Sequence, residues 1–292
     1  MIVDNKKIED VKKITVLTVN YNVADNVNKL VKSLSQVKEI IGEIIIIDNN
    51  SKDSNQILKN GEIKIIYNKK NLGFSRAVNQ GIVKAKEKYI LIINPDCYLE
   101  NTTITTTLEL LIKDKKIGAI GGKIKKPNTN KYQFTANNKA DFLTGLFEFT
   151  NLKKIFPNNR FSKKFWVENL TITKPILVES LCGAYMIIRK KINKTLNLFD
   201  ERYFLYLEDI DFGNKINLLG YKVVFDPRSE ITHVGGKSSN SKYNIVLNEW
   251  YISRKKYFKK HLNKFESDIL SIIFTLEQLV LTIFQNIFKN HV

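Results

Sequence analysis

Short apolar runs alternate with helix-like patterns along the first hundred residues. Four runs rich in β-branched residues predict strands at 13–22, 43–51, 63–68 and 89–96. Between them, residues 26–37 carry apolar side chains at helical spacing, and residues 75–86 also favour a helix. The second run is apolar on both faces, as a central parallel strand should be. This alternation predicts an α/β fold with a mostly parallel, doubly wound sheet.

Polar residues end each of the four predicted strands. The ends are Asn20-Tyr21-Asn22, Asp48, the turn that leads to Asn71 and Gly73, and Asn94-Pro95-Asp96. Any one of them is ordinary turn chemistry, because Pro fixes φ and Asn and Asp bond their own backbone. In doubly wound sheets, however, ligands bind outside the carboxyl ends of the strands. We therefore expect these four ends to line one cleft.

The pattern weakens between residues 123 and 175, where polar stretches mix with basic and aromatic residues. Such interleaving can bind single-stranded nucleic acid by stacking. A solvated loop or lid with aromatic anchors is the favoured interpretation here. Regular patterns return with a strand at 176–192 and with an acidic cluster that opens a helix near Glu208.

After Ser239 the α/β alternation ends in a basic, aromatic segment and a long amphipathic stretch. Polar residues of that stretch form a narrow stripe at Ser271, Thr275, Gln278, Thr282 and Gln285. The apolar runs are too short to predict a membrane span. An in-plane interfacial helix drawn to anionic lipid fits this pattern. A helix packed on the preceding domain or in a homodimer seam is the alternative.

Composition narrows the class of protein only moderately. A chain of 292 residues can form one large domain, or a domain with an appendage. The excess of 47 Lys and Arg over 29 Asp and Glu, a net charge of +18, suggests an anionic partner. Two cysteines, Cys97 and Cys182, give no disulfide framework, and the first thirteen residues have no apolar signal core. We therefore expect a cytoplasmic protein.

Several common catalytic motifs are missing from the sequence. It has no Gly-x-Gly-x-x-Gly turn, no Walker loop, no Cys/His cluster suited to zinc and no Gly-x-Ser-x-Gly elbow. The candidate functional residues that remain are five acids and one histidine: Asp48, Asp96, Glu208, Asp209, Asp211 and His233. Acids at a helix N-terminus favour its dipole, but three in four residues exceed what capping requires. Because successive helical residues differ by about 100°, these three are not expected to share one role.

The ordered motifs resemble the family 2 glycosyltransferases, and most closely the bacterial and archaeal rhamnosyltransferase-type branch. They are IIIIDNNSKD, NLGFSRAVNQG, ILIINPD, GAYMIIRK, FDERYFLYLEDIDF and THVGGKSS, within Lys13 to Ser239. The resemblance implies a GT-A fold, a nucleoside-diphosphate sugar donor and inversion at the anomeric centre. It makes Asn94-Pro95-Asp96 the counterpart of the family's DXD motif, with the first acid replaced. We expect a catalytic domain at 1–240, an acceptor-side loop region at 123–175 and a helical tail at 241–292.

The same resemblance assigns roles to individual residues. It makes Asp209 the catalytic base and Asp96 and His233 the ligands of Mg²⁺ or Mn²⁺. A divalent cation suits a diphosphate leaving group, and it takes one or two carboxylates plus phosphates. Donor-binding residues would be Asn20, Tyr21, Asp48, Asn71, Gly73, Arg76, Asn79, Asn94 and Asp96. Sugar- or acceptor-binding residues would be Gly183, Ala184, Glu208, Asp211 and Trp166.

The expected partners are a dTDP- or UDP-sugar and a glycan or lipid-linked glycan acceptor, with no nucleic acid. The sugar is rhamnose or another hexose, and the site of action is the inner face of the cell membrane. Two other classes stay open. A GT-A-like nucleotidyltransferase also uses acids at strand ends, but it would need a Gly-rich, basic loop after the first strand. A non-catalytic basic protein that binds membrane or nucleic acid would leave the acids at the strand ends unexplained.

Overall fold

The computed structural model describes residues 13–59, 61–99, 104–129, 131–168, 171–192, 197–235 and 243–289. Two predictions concern residues outside these ranges, the absence of a signal core at the N-terminus and the domain boundary at residue 240. The strands are β1 (Ile14–Asn20), β2 (Ile41–Asp48), β3 (Ile63–Tyr67), β4 (Tyr89–Ile93), β5 (Cys97–Tyr98), β6 (Ile117–Lys125), β7 (Tyr132–Gln133), β8 (Ala136–Asn137), β9 (Ile176–Val178), β10 (Ser180–Leu181), β11 (Tyr185–Arg189) and β12 (Lys222–His233). The helices are α1 (Ala24–Ser33), α2 (Phe74–Lys84), α3 (Ile104–Lys113), α4 (Phe142–Glu148), α5 (Leu152–Ile155), α6 (Arg160–Phe165), α7 (Glu208–Leu218), α8 (Tyr243–His261) and α9 (Lys264–Lys289).

The main sheet has the order β3-β2-β1-β4-β11-β6-β12-β5 over the described part of the chain. Strands β1 to β4 run parallel to one another, and β12 runs parallel to β6. Strand β11 is inserted antiparallel between β4 and β6. The chain order reverses between β1 and β4, which is where α/β sheets bind ligands. The predicted α/β class with a mostly parallel sheet is confirmed.

Helices cover both faces of the sheet because its central strands are apolar on both sides. In β2, Ile44 and Ile46 join one buried cluster, whereas Ile45 and Ile47 join the other. Helices α1 and α3 contribute to the first cluster, and α2 and α7 contribute to the second. This alternation fixes the register, since a one-residue slip would exchange the two faces.

The segment predicted as a loop region at 123–175 contains regular structure. Strand β6 ends within it, at Lys125, and β7, β8 and the three short helices α4, α5 and α6 follow. These helices have seven, four and six residues. Helices this short make one or two turns, too few for a hydrophobic repeat to stand out in the sequence.

The two tail helices pack on the rest of the chain through an aromatic cluster. Tyr257, Phe258, Leu270 and Phe274 of the tail join side chains from residues 140–166 and 203–210. The fit is close: a Cβ at Gly145 of α4 would lie 2.5 Å from Leu270 Cδ1. The tail therefore shares a core with the preceding domain. The inner face of the tail is packed as the alternative prediction, a helix packed on that domain, expects.

A second apolar stripe on α9 stays exposed. Its residues step by seven, four, three and four positions, at Phe265, Ile272, Leu276, Leu279 and Ile283. Because α-helical residues repeat every 3.6 positions, this stripe lies opposite the buried Leu270 and Phe274. No helix among the described residues combines the length and apolarity that crossing a bilayer requires. Four residues of the predicted polar stripe, Ser271, Thr275, Gln278 and Thr282, lie between the two apolar faces. The side chain of the fifth, Gln285, lies outside the described residues.

The shared core predicts that the tail contributes to the stability of the whole chain. Phe274→Ala should lower the free energy of unfolding by about 3–5 kcal/mol, the usual cost of truncating a buried Phe. Phe265→Ala is the matched control, because Phe265 is on the same helix but 76% exposed. It should change stability by less than about 0.5 kcal/mol. Urea titrations followed by circular dichroism measure both, and equal effects would contradict the packing.

Candidate active site

The ends of β1 and β2 are tied together by side-chain hydrogen bonds. Asn20 Nδ2 donates to Asp48 Oδ2 at 2.8 Å and to Ser51 Oγ at 3.0 Å. The Ser51 N–H donates to the other Asp48 oxygen at 3.0 Å. Asp48 is buried and half-buried Tyr21 follows β1. The structure thus brings these predicted donor-binding residues to one edge of the sheet, where Asn20 and Ser51 orient the Asp48 carboxylate.

Asp96 and His233 lie side by side at the same sheet edge. Strand β5 pairs with the end of β12, which sets Cys97 opposite His233. His233 Nε2 is 3.1 Å from Asp96 Oδ1, and His233 Nδ1 is 3.1 Å from Gln133 Oε1. Gln133, on the short strand β7, has no distinguishing signal in the sequence. A partner on the second ring nitrogen fixes the orientation of a metal-binding histidine.

The donor atoms here fit a hard divalent cation. Ligand atoms of Asp96, Cys97 and His233 lie within 4.8 Å of one another. The Cys97 thiol donates to the carbonyl of Ala184, and burial raises its pKa well above the ordinary value. Mg²⁺ and Mn²⁺ favour oxygen ligands such as carboxylate and phosphate over sulfur, and Mn²⁺ also takes imidazole. The two residues predicted as metal ligands are thus the two suited to such an ion.

Asp209 is presented by an unusual turn at the start of α7. Tyr206 and Leu207, just before the helix, have φ values of 72° and 66°. Left-handed conformations in residues other than glycine cost about 1–3 kcal/mol each and cluster at functional sites. Asp209 Oδ2 accepts from the Gly183 N–H at 2.9 Å, and Oδ1 accepts from the Ile210 N–H at 2.8 Å. The turn and these two bonds fix the half-buried carboxylate.

Burial raises the pKa of both acids at the start of α7. For Asp209 the rise is partly offset by the backbone N–H donors. For Glu208, burial and the adjacent Asp209 raise the pKa to about 8. One Glu208 oxygen, Oε2, finds no hydrogen-bond partner among the described residues. The two carboxyl groups titrate as a pair whose protonation occurs closer to neutral pH than that of free carboxylates.

Gly183 and Ala184 connect the two acidic centres. Gly183 donates to Asp209, and the carbonyl of Ala184 accepts from the Asn94 N–H at 3.0 Å. Strand β11 begins at the next residue, Tyr185, which pairs with Ile93 at the end of β4. The predicted floor of the sugar site therefore lies between Asn94-Pro95-Asp96 and Asp209.

Asp211 faces a different set of partners from Asp209. Its carboxylate is 1% exposed and bonds Lys260 and His261 of α8. In this structure the carboxylate of Asp211 is occupied by these two partners, and its role in orienting donor or acceptor sugar stays a prediction. Spacing on α7 alone could not reveal this, because the two cations come from fifty residues further along the chain.

Two predicted nucleotide-pocket residues serve contacts inside the protein. Gly73 has a φ of 82°, and a Cβ there would lie 2.5 Å from the carbonyl oxygen of Phe204. The absence of a Cβ at Gly73 thus allows the loop before α7 to approach closely, and the role of Gly73 in donor binding stays a prediction. Asn79 bonds both the N–H and the carbonyl of Phe199, so its amide is also occupied.

The remaining predicted residues are more peripheral. Asn71 Oδ1 accepts from the Gly73 N–H at 2.9 Å and shapes that turn. Arg76 is half-exposed and pairs with Glu201 at 3.4 Å. Trp166 stacks on Phe134 and donates its indole N–H to Glu148 at 2.7 Å. Glu148 and Phe134 escaped the sequence analysis because they lie in the segment that lacked a pattern.

Comparison with known proteins gives the family and the fold. The model of Glycosyl transferase family 2 matches residues 15–196. The chain is 25% identical over 232 residues to N-acetylglucosaminyl-diphospho-decaprenol L-rhamnosyltransferase of Mycobacterium tuberculosis, covering 75% of both chains. It is 23% identical over 234 residues to a poly-beta-1,6-N-acetyl-D-glucosamine synthase of Staphylococcus aureus, covering 76% of this chain and 51% of the relative.

Among solved structures, the crystal structure of GalNAc-T7 with UDP, GalNAc and Mn²⁺ is similar to this chain. The TM-score is 0.60 at 19% identity, and the match covers 87% of this chain and 52% of GalNAc-T7. This likeness confirms the predicted GT-A fold. The family match spans well over half of the chain, and the acids predicted from the family motifs meet at one sheet edge. The chain belongs to glycosyl transferase family 2.

Proposed function

We propose that this glycosyltransferase moves a sugar from a nucleoside-diphosphate sugar to an acceptor hydroxyl, with inversion at the anomeric carbon. The observation that carries the proposal is the placement of Asp209. Its carboxylate is fixed by Gly183, which adjoins the strand pair that carries Asp96. A direct displacement needs one base near the departing diphosphate. Among the described acids at this edge, Asp209 is the one held beside Gly183, whereas Asp48 lies at the ends of β1 and β2.

Asp209 is the proposed base. A general base works best when its pKa approaches the working pH, and burial raises that of Asp209. The Gly183 and Ile210 N–H groups hold both oxygens, so the carboxylate keeps a fixed position while it takes the proton of the acceptor hydroxyl. Glu208, with its unpaired Oε2, is placed to hydrogen-bond a sugar hydroxyl.

Asp96 and His233 would hold a divalent cation, Mg²⁺ or Mn²⁺. When bound, such an ion supplies positive charge to the leaving diphosphate. Asp48 and Asn20 would contact the nucleoside, and Asn94 and Gly183 would lie beside the transferred sugar. The crystal structure of GalNAc-T7 contains UDP and Mn²⁺, which supports the same donor class here.

The relatives support a role in cell-surface polysaccharide synthesis. The mycobacterial relative is named for transfer of L-rhamnose to an N-acetylglucosaminyl-diphospho lipid, and the staphylococcal relative for a polysaccharide. We propose rhamnose or another hexose, carried by dTDP or UDP, as the donor group. A lipid-linked glycan is the proposed acceptor, met at the inner face of the membrane.

The exposed stripe of α9 is the proposed membrane contact. Apolar side chains at Ile272, Leu276, Leu279 and Ile283 are about half exposed or more. Helix α5 and the residue after it add exposed Lys154, Ile155 and Phe156. The helix follows Asn151, whose N–H donates to Glu277 of α9 at 2.6 Å. Apolar groups with lysines beside them suit an anionic lipid surface. In the basic segment before α9, Lys260 and Arg254 make contacts inside the protein. The electrostatic attraction to anionic lipid therefore comes from the exposed lysines.

The base assignment predicts distinct effects for the two neighbouring acids. Asp209→Asn should leave donor binding intact and lower transfer by about 10²–10⁴-fold, the usual loss of a general base. Glu208→Gln should retain measurable transfer. Because the pKa of Glu208 is raised to about 8, Glu208 is mostly protonated on the acid limb of the rate profile. Its replacement by Gln therefore removes little charge there and should leave the acid limb close to its wild-type position. Steady-state rates between pH 5 and 9 measure both variants. If Glu208→Gln is inactive and Asp209→Asn has normal activity, the base is Glu208 and not Asp209.

The metal assignment predicts a loss of cation-dependent nucleotide binding. In wild type, Mn²⁺ should tighten binding of a nucleoside diphosphate, and Asp96→Ala should remove that gain without unfolding the protein. Asp268→Ala, an exposed carboxylate on α9, is the control and should bind as wild type. Isothermal calorimetry with and without Mn²⁺ gives the comparison. Equal metal dependence in wild type and Asp96→Ala would mean that Asn94-Pro95-Asp96 forms a turn and does not bind the metal.

The membrane assignment predicts that acidic substitutions on the outer stripe release the protein from lipid. Wild type should sediment with phosphatidylglycerol vesicles at low salt, and the double variant Leu276→Asp, Leu279→Asp should not. Leu218→Asp is the control, because Leu218 is 85% exposed but ends α7. If wild type ignores the vesicles and the double variant turns a dimer into a monomer in sedimentation velocity, the stripe is a dimer seam.

A further inference from the structure

One face of α8 contacts the loop and the helix that carry Asp209. Its contacting residues recur at helical spacing, at Ser253, Lys256, Tyr257, Lys260 and His261. Residues three and four apart lie on the same side of a helix. The face is therefore a continuous row of side chains directed at residues 200–214.

The centre of this row is the buried carboxylate of Asp211. Lys260 Nζ lies 2.7 Å from Oδ1 and 2.8 Å from Oδ2, and His261 Nε2 lies 2.7 Å from Oδ1. Lys260 also reaches Asp200 at 2.8 Å, and Asp200 is paired with Arg202. Asp211 stands two residues after Asp209, in the first turn of α7.

The same row holds the backbone that leads into α7. Ser253 Oγ donates to the carbonyl of Leu205 at 2.7 Å, and Lys256 Nζ donates to the carbonyl of Arg202. Further along α7, Asn214 donates to the Tyr257 hydroxyl at 2.9 Å. These contacts bracket Tyr206 and Leu207, whose left-handed conformations need support from their surroundings.

We infer that Lys260 and His261 are positioning residues for the transfer reaction. They hold Asp211, and through it the first turn of α7, so that Asp209 meets the Gly183 N–H. The inference rests on the proposed function, in which Asp209 is the base. It extends the catalytic machinery to α8, which lies beyond the 15–196 span matched by the family model.

A role in geometry fits this cluster better than a role in stability alone. Buried ion pairs often contribute little net stability relative to apolar side chains of the same size, because both charges must be desolvated. They do impose direction, since a carboxylate accepts from donors only at defined positions. A misplacement of about 1 Å at a catalytic group can cost 100-fold in rate.

The test compares three lysine variants of the full chain. Lys260→Met keeps the length of the side chain and removes its charge, and His261 remains to bond Asp211. We expect kcat to fall by about 10–100-fold, the scale of a misplaced catalytic group, with KM for the donor within about twofold. Lys260→Arg should recover much of the loss. Lys259→Met, one residue away on the exposed side, should match wild type.

Nucleoside-diphosphate affinity and melting temperature separate positioning from folding. The inference is overturned if Lys260→Met transfers sugar as well as Lys259→Met. It is equally overturned if the kcat loss vanishes after correction for unfolded protein, or if KM rises while kcat holds. If wild type transfers no sugar from any nucleoside-diphosphate donor, the proposed function fails before the variants are compared.

A double-mutant cycle gives an independent measurement. Lys260→Met combined with Asp211→Asn should lower kcat no further than the more damaging single variant, because both act through one contact. Multiplying losses would mean that Lys260 acts on something other than Asp211 and would overturn the inference.

Discussion

The hydrogen bond from the Gly183 N–H to Asp209 joins two parts of the chain that the active edge needs together. Gly183 stands at the entrance to β11, and the next residue, Ala184, accepts from Asn94 beside Asp96. Since β11 pairs with β4, the position of Asp96 is transmitted through the sheet to the start of α7. A single antiparallel strand thereby sets the spacing between Asp96 and Asp209.

The electrostatics of this edge run against the overall charge of the protein. The chain carries a net charge of +18, yet its catalytic edge is built from carboxylates. The acids are tolerated there because each has compensation: backbone N–H groups for Asp209, Asn20 and Ser51 for Asp48, and His233 for Asp96. The net positive charge of the chain favours the approach of anionic molecules. Glu208 has the least compensation, and its pKa is raised to about 8.

The tail is part of the same cooperative structure. Aromatic side chains of α8 and α9 complete a cluster with residues 140–166 and 203–210, so they bury the back of the loop that precedes α7. Arg254 shows how closely this region is packed, for its guanidinium lies over the rings of Trp250, Tyr251 and Phe274. One surface of the tail thus packs behind the loop that leads into α7, while the opposite stripe of α9 is exposed.

The sequence by itself determined the α/β class, the polar ends of the first strands and the identity of the main acids. These are local properties, since strand and helix periods and turn residues are read over windows of about ten residues. Tertiary structure alone decided that Asp211 serves Lys260, that Gly73 admits the Phe204 backbone and that Asn79 bonds Phe199. It also decided that Gln133 orients His233 and that the tail shares the core. Each of these contacts joins residues about fifty or more positions apart, and no local pattern records which distant partner a side chain will meet.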